Sequence, residues 1–267
     1  MSLNVSIVLY KHAVDEVLPL LNCLRKSPLV SEVFLIDNSP TVRDEFKALD
    51  AIYIFNAKNI GYGAGHNIAI RQTLRHDVPY HLVLNPDVVF ESDILMKIAA
   101  FMNNNSDIGL LMPKVYYPNG EIQYLCKLLP TPFDLIFRRF LPKSWTEKRT
   151  TIFELRSSGY NRIINVPYLS GCFMFLRMEA VRQIGMFDER FFMYPEDIDL
   201  TRRIHRKYRT VFYPEVSVIH QHVQGSYLVG RLLFIHIKNM IKYFNKWGWI
   251  FDNERRIINK ETLKQLK

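Results

Sequence analysis

The sequence predicts an α/β protein built on a mostly parallel sheet. Two observations carry that expectation. Over residues 1–112, short apolar runs rich in β-branched residues alternate with segments of helical periodicity. Three polar clusters, Asp37-Asn38-Ser39, Asn59 to Asn67 and Asn85-Pro86-Asp87, lie just after strand-like runs. In open sheets of this kind ligands bind in the crevice beyond the carboxyl ends of the strands, so the three clusters fall at one expected edge. Taken singly, each is also ordinary turn composition.

The elements follow in order. Residues 5–10 (VSIVLY) read as a buried strand, and 14–24 carry apolar residues at helical spacing. A second strand at 33–36 stops at Asp37-Asn38-Ser39-Pro40, a strong turn signal. A third strand occupies 52–55. The glycine-rich stretch 59–67 then opens a helix running to about 76. The fourth strand, 81–84, ends at Asn85-Pro86-Asp87; a helix at 91–103 and a fifth strand at 108–112 complete the alternating part. Beyond Pro113 the alternation breaks down. Residues 117–120 read as a turn between two short strands, and 127–162 as irregular, basic and aromatic. Strand character returns at 168–176, followed by a helix at 195–207 and short strands at 210–212 and 216–219. From about residue 226 the pattern is one long aromatic, basic helix. The chain therefore divides into 1–225, with halves 1–112 and 113–225, and a helical extension 226–267.

Bulk properties narrow the class. A chain of 267 residues with 48% hydrophobic residues supports a sizeable core in one large domain, or one domain with an appendage. No signal-peptide pattern and no apolar stretch suited to a transmembrane helix are read from it. Cys23, Cys126 and Cys172 are scattered without metal-ligand spacing, which fits a reducing cytoplasm. The net charge of +9 admits three partners: nucleic acid, an anionic membrane surface or phosphorylated substrates. No nucleic-acid-binding module accompanies it.

Four places carry candidate chemistry. The stretch NIGYGAGHN fails as a dinucleotide fingerprint because His66 stands where the third glycine belongs. It can still present backbone N–H groups to a diphosphate, or serve as a tight turn. Asp87 suits a divalent cation held against a diphosphate, or a turn carboxylate after Pro86. Glu196 and Asp197 open a helix, where the dipole favours acids and where a carboxylate is also placed to deprotonate a sugar hydroxyl. His220 ends an apolar strand, with His222 two residues on; each is a metal ligand or a structural histidine.

In this order and spacing the segments resemble glycosyltransferase family 2, whose members have the GT-A fold: a mixed, mostly parallel sheet flanked by helices. The resemblance runs from Val5 to about Ser226. It takes in VSIVLY, Asp37-Asn38-Ser39, NIGYGAGHN, Asn85-Pro86-Asp87, Ser170-Gly171-Cys172-Phe173-Met174, GMFDERFFMYPEDIDLTRR, and His220 with Gly225-Ser226. The Asn-Pro-Asp form is most similar to the rhamnosyltransferase-like branch.

The resemblance assigns roles. Tyr10 lies in the segment lining the base pocket, Asp37 reads the base with Asn38 beside it, and Asn59, Gly61, Gly65 and Asn67 form the nucleotide-side loop. Asn85 and Asp87 take the ends of the family's D-x-D motif, with one carboxylate missing. Asp87 and His220 would hold Mg²⁺ or Mn²⁺, and Asp197, paired with Glu196, would act as general base in an inverting transfer. The expected donor is a dTDP- or UDP-sugar, with dTDP-rhamnose favoured, and the expected acceptor is a lipid-diphosphate-linked saccharide. A nucleotidyltransferase is the main rival, but Leu9-Tyr10-Lys11-His12 lacks that class's glycine-rich phosphate loop.

The C-terminal helix, read over 228–249, aligns Arg231, Lys238, Lys242 and Lys246 along one face and fills much of the rest with apolar residues. A basic amphipathic helix of this kind lies in an anionic membrane interface or docks on its own domain. The basic, aromatic stretch 133–145, with Arg138-Arg139, has the same character. The expected location is the cytoplasm, peripheral to the inner face of the cell membrane.

Overall fold

The structure is a computed structural model. It describes residues 1–136, 138, 141–221 and 231–266, without the side chains of Lys143, Arg231 and Leu232. Arg139, His222, Gly225, Ser226 and Leu228 lie outside the described residues.

The elements run β1 (Leu3–Leu9), α1 (Val14–Arg25), β2 (Val30–Asp37), β3 (Ile52–Phe55), α2 (Tyr62–Arg75), β4 (Tyr80–Leu84), β5 (Val88–Val89), α3 (Asp93–Asn104) and β6 (Ile108–Tyr116). They continue with β7 (Cys126–Lys127), α4 (Pro132–Leu135), α5 (Lys143–Phe153), β8 (Ile164–Asn165), β9 (Tyr168–Leu169), β10 (Phe173–Arg177) and α6 (Met178–Ile184). The last are α7 (Pro195–His205), β11 (Arg209–His220), α8 (Arg231–Trp247) and α9 (Asn253–Lys264).

The main sheet has the strand order β3-β2-β1-β4-β10-β6-β11-β5, with β8 paired to β11. Strands β3, β2, β1 and β4 are parallel. The order reverses direction at β1, with β2 on one side and β4 on the other, so the loops leaving β1 and β4 part and leave a crevice. Strand β10 runs antiparallel between β4 and β6. Its start, Phe173, therefore lies against Leu84 at the end of β4. Strand β11 is parallel to β6 and antiparallel to β5, which sets His220 opposite Val88. Strands from both sides of residue 112 thus share one sheet and one edge.

Alternation along β1 explains how the two faces are covered. Leu3, Val5, Ile7 and Leu9 join the core beneath α1 and α3. Asn4 and Ser6 point the other way, under α2, and are fully buried all the same. There they form a polar chain. Ser6 Oγ meets His66 Nδ1 at 2.6 Å and His81 Nε2 at 2.8 Å, and Thr73 Oγ1 joins His81 Nδ1 at 2.8 Å and Asn4 Nδ2 at 3.2 Å. His66, the residue that spoils the dinucleotide fingerprint, fastens the glycine-rich helix to the sheet.

Four expectations change. The strand character at 168–176 is two strands in different sheets, β9 paired with β7 and β10 in the main sheet. The two short strands expected at 210–212 and 216–219 are one twelve-residue strand with an irregularity between Tyr213 and Ser217, where Pro214 withholds a ladder donor. The region 127–162 is not wholly irregular, since α5 lies in it. The long terminal helix is two helices, broken at Gly248 (φ +99°) and restarted by Asp252, whose side chain accepts from Arg255 N. Among the described residues no helix is long and apolar enough to cross a membrane.

Candidate active site

Five loops converge at the carboxyl edge, and the first four predicted residues of the nucleotide side lie together there. Tyr10, just past β1, is half-exposed. Asp37 ends β2 fully buried, accepting from Ser39 N at 2.9 Å and from the Tyr53 hydroxyl at 2.6 Å. Burial and that hydrogen bond push the Tyr53 phenol up to about 12. Asn38 spans the gap to the glycine loop, donating to Gly61 O at 3.1 Å and accepting from Asn56 Nδ2 at 2.8 Å. Asn59 Oδ1 accepts from Gly61 N at 3.0 Å.

The glycines have steric reasons. Gly61 adopts φ +97°, and a side chain there would run into the Phe192 carbonyl. A Cβ on Gly65 would lie 2.8 Å from Val8 Cγ2, so α2 could not approach β1 as closely. Asn67 faces away from the crevice: its amide donates to Phe187 O and Glu189 Oε1 at 2.9 Å and accepts from Phe187 N at 3.0 Å. Its role in this loop is to clamp α2 to residues 187–189.

The reaction side forms one connected net. Asp197 sits in the first turn of α7, whose N-cap Tyr194 has the strained φ of +93°. Its Oδ2 accepts from Gly171 N at 3.0 Å and its Oδ1 from Ile198 N at 2.7 Å. Tyr62 crosses from α2 to donate to Gly171 O at 2.7 Å and Asn85 Oδ1 at 2.9 Å. Asn85 N donates to Cys172 O at 3.0 Å, and Asn85 Nδ2 lies 3.3 Å from His220 Nε2. His220 Nε2 lies 3.2 Å from Asp87 Oδ1. Asp87, Asn85, His220 and Asp197, up to 135 positions apart in the chain, are thereby linked through Gly171 and Tyr62.

The acids are electrostatically unusual. Burial raises both Glu196 and Asp197 above the ordinary carboxylate range, and the nearby Asp197 charge raises Glu196 further. Among the described residues Glu196 Oε2 is buried without a hydrogen-bond partner. Asp197 is pulled back toward ionisation by its two backbone donors and by nearby Lys127, whose ammonium lies 5.5 Å from the Tyr168 ring centroid. Asp199, next on the helix, is spoken for: it accepts from Arg203 at 2.7 Å, Trp247 at 2.8 Å and Lys246 at 2.5 Å.

His220 is oriented from behind. Gln123 Oε1 lies 3.0 Å from its Nδ1, and Gln123 Nε2 donates to its carbonyl at 2.8 Å. With Nδ1 protonated toward Gln123, Nε2 is the nitrogen that faces Asp87, donating to it when protonated and free to ligate a cation once that proton is displaced. Burial lowers the proton affinity of this imidazole, but hydrogen bonds to Asp87 and Cys172 override it and push the pKa up to about 10. Asp87 and His220 fit a divalent cation as a two-donor set. Among the described residues no group of three His, Cys, Asp or Glu side chains is placed to hold a metal ion, so the remaining ligands would be substrate phosphate and water.

Sequence reasoning gave no roles to Tyr62, Gly171, Gln123 or Lys127. Gly171 and Tyr62 lie inside segments of the resemblance, Ser170-Gly171-Cys172 and NIGYGAGHN, without a role of their own; Gln123 and Lys127 carry no local signal, because each acts on a partner more than 20 residues away.

The strand order, with its antiparallel β10 and its crevice at the β1–β4 edge, is the GT-A fold of glycosyltransferases. The chain superposes on the crystal structure of GalNAc-T7 with UDP, GalNAc and Mn²⁺ at a TM-score of 0.67, with 15% identity, over 96% of this chain and 50% of that one. Among sequence relatives, it is 28% identical over 182 residues to the N-acetylglucosaminyl-diphospho-decaprenol L-rhamnosyltransferase of Mycobacterium tuberculosis, covering 63% of this chain and 58% of the relative. It is 25% identical over 193 residues to the rhamnosyltransferase WbbL of Escherichia coli, covering 68% and 69%. The rhamnosyltransferase-like resemblance read from the motifs is borne out by these relatives. No family model matches the chain. It spans less than two thirds of the length of the mycobacterial relative.

Proposed function

We propose that the protein is an inverting glycosyltransferase that moves a hexose, rhamnose above all, from a nucleotide-sugar donor to a lipid-diphosphate-linked saccharide in cell-surface polysaccharide synthesis. The observation that carries the reading is the buried carboxylate of Asp197, held by Gly171 N–H in the same net as Asp87. Residues 1–225 would supply the catalytic domain, working at the inner face of the cell membrane.

In this reading Tyr10, Asp37 and Asn38 border the nucleobase, while Asn59, Gly61 and Gly65 shape the backbone near the ribose and phosphates. The Asp37 oxygens each take one protein donor, which leaves lone pairs for a base N–H. Asp87 and His220 would hold Mg²⁺ or Mn²⁺, which when bound supplies charge stabilisation on the leaving diphosphate. Ionised Asp197 accepts the proton of the acceptor hydroxyl. The acceptor oxygen attacks the anomeric carbon from the face opposite the leaving group. The bond to the donor diphosphate breaks and configuration inverts. The raised proton affinity of Asp197 suits it to this work, since a base with a pKa nearer neutrality accepts a proton more readily than an ordinary carboxylate.

The test is Asp197→Asn. The amide keeps the size and the helix-terminus compatibility of the original, so fold and donor affinity should be retained while kcat falls about 10²- to 10⁴-fold. Donor binding and transfer are measured on one preparation, after a thermal-shift screen with dTDP, UDP and GDP, with and without Mn²⁺. Near-wild-type turnover ends this assignment, and loss of donor affinity makes Asp197 a donor ligand instead.

A further inference from the structure

The basic stripe of α8 faces its own domain in part. Lys242 Nζ donates to Arg190 O at 2.6 Å, and Lys246 Nζ lies 2.8 Å from Asp188 and 2.5 Å from Asp199. Met240, Tyr243 and Phe244 are buried against Leu129, Phe191 and Ile198. Lys242 and Lys246 of the stripe read from the sequence thus face the domain, while Lys238 is exposed.

Besides Phe234 and Ile241, exposed on α8 itself, a second apolar surface follows it, anchored by Trp249, which packs on Phe244 and donates to Asn245 at 2.8 Å. Where α8 breaks, Trp249, Ile250 and Phe251 stand side by side with exposures of 38%, 75% and 94%. Three consecutive bulky apolar residues at a turn are unusual in a surface that has had other choices, since turns ordinarily take small polar residues. The surface continues along α9, whose outward residues Arg256, Ile257 and Lys260 are exposed. Glu254, on the same helix, is engaged by Arg202 and Arg206. On the other flank, buried Arg255 donates to Pro130 O at 3.2 Å and to Trp249 O and Ile250 O at 3.3 Å. One helical turn further, Asn259 lines a cleft of about 450 Å³ together with Leu129, Lys148 and Trp145, which is 77% exposed. Exposed aromatic and aliphatic tips leading into a helix with exposed Arg256 and Lys260 match a bilayer whose interface is anionic: Trp rings sit at headgroup depth and the lysines and arginines meet the phosphates.

We propose that the Trp249–Ile250–Phe251 turn, followed on α9 by the exposed cations Arg256 and Lys260, inserts into an anionic lipid surface. The turn, rather than Lys242 and Lys246 of α8, is then the apolar anchor of the membrane contact. This inference does not depend on the reaction proposed above, because it is read without substrates.

The experiment uses the full chain and sedimentation with vesicles of phosphatidylcholine alone or with phosphatidylglycerol. Wild type should bind the anionic vesicles, and the double variant Ile250→Ser, Phe251→Ser should lose most of that binding, at least tenfold in apparent affinity. Met96→Ser, at an exposed apolar site on α3, should bind like wild type. Thermal melts confirm that the variants remain folded; both substituted side chains are exposed, so they should. Unchanged vesicle binding by the double variant overturns the proposal. So does a wild type that ignores vesicles but sediments as a dimer that the double variant dissociates, which would make the turn a contact between two copies. Transfer to a short water-soluble acceptor, measured in parallel without vesicles, should be the same in wild type and double variant; its failure in both would count against the proposed reaction and leave the lipid result standing.

Discussion

Glu196 is the residue whose chemistry departs furthest from its sequence neighbourhood. In the sequence it is a dipole-matched acid in a first helical turn. In the fold its Oε2 is buried without a partner beside a second buried acid. Burial first, then repulsion from Asp197, raises its pKa to about 8. Its proton is therefore retained at pH 5 and largely lost above pH 8, where the wild-type fold carries an uncompensated charge. Glu196→Gln should raise Tm, by a few degrees at pH 8.5 and by little at pH 5, because the amide is neutral at both. Equal melting shifts at the two values would show that the carboxyl is not charged in the native state at the higher pH. Lys127 and Gly171 belong to the same lesson. Their roles are set by what the fold brings to them, and no spacing in the sequence points from either to Asp197.

At the scale of elements, the C-terminal helices are fastened by one arginine. Arg202 leaves α7 fully buried and donates to both Asp252 oxygens at 2.8 Å and to Glu254 at 2.7 Å, with its guanidinium 4.1 Å from the Trp247 ring centroid. Asp252 in turn caps α9. Arg202→Leu leaves the Asp252 carboxylate buried and without its main counter-charge, which typically costs about 3–5 kcal/mol. The expected fall in Tm is on the order of 10 °C. Arg206→Ala removes a half-exposed partner of Glu254 and should cost less than about 1 kcal/mol. Calorimetry on both variants checks this; equal small losses would mean that α8 and α9 dock mainly through Met240, Tyr243 and Phe244. The arginine-rich end of α7 reads in the sequence as a complement to the helix dipole, and only the packing of α9 shows Arg202 turned inward.

For the whole molecule, titration of buried groups sets the pH of greatest stability. Burial lowers His66 well below the ordinary 6.5, His81 to about 3 and His205 to about 4. Between those values and 6.5 the unfolded chain binds protons that the native state refuses, so stability rises with pH there. Glu196 and Asp197 act oppositely from the carboxylate range upward, because the native state keeps protons that the unfolded chain has released. His220, raised to about 10, extends that loss above 6.5. Three histidines against two acids leave the slope positive up to about 6.5 and negative beyond. Tm in metal-free buffer should therefore peak near pH 6.5, well below the sequence pI of about 9.4. A maximum near the pI would contradict this reading of the buried groups.

What the sequence by itself determined is the part written in local periodicity and turn chemistry. The first four strands, the glycine-opened helix α2 and the acidic start of α7 were legible because alternation, helical spacing and turn residues act over a few neighbours. Their order also placed Asp37, Asn38, Asn59, Asn85 and Asp87 at one edge, since parallel crossovers return the chain in a fixed sense. Tertiary structure alone decided three things. It joined the buried Asn4 and Ser6 to His66, Thr73 and His81 in a polar chain beneath α2, which the reading of residues 5–10 as a buried strand does not supply. It turned Asn67 away from the crevice and Lys242 and Lys246 toward the domain. It also split the terminal helix at Gly248, leaving Trp249, Ile250 and Phe251 exposed. Each depends on which surface arrives from a distant part of the chain, and the free energy of burying or pairing a side chain is settled only when that surface is in place.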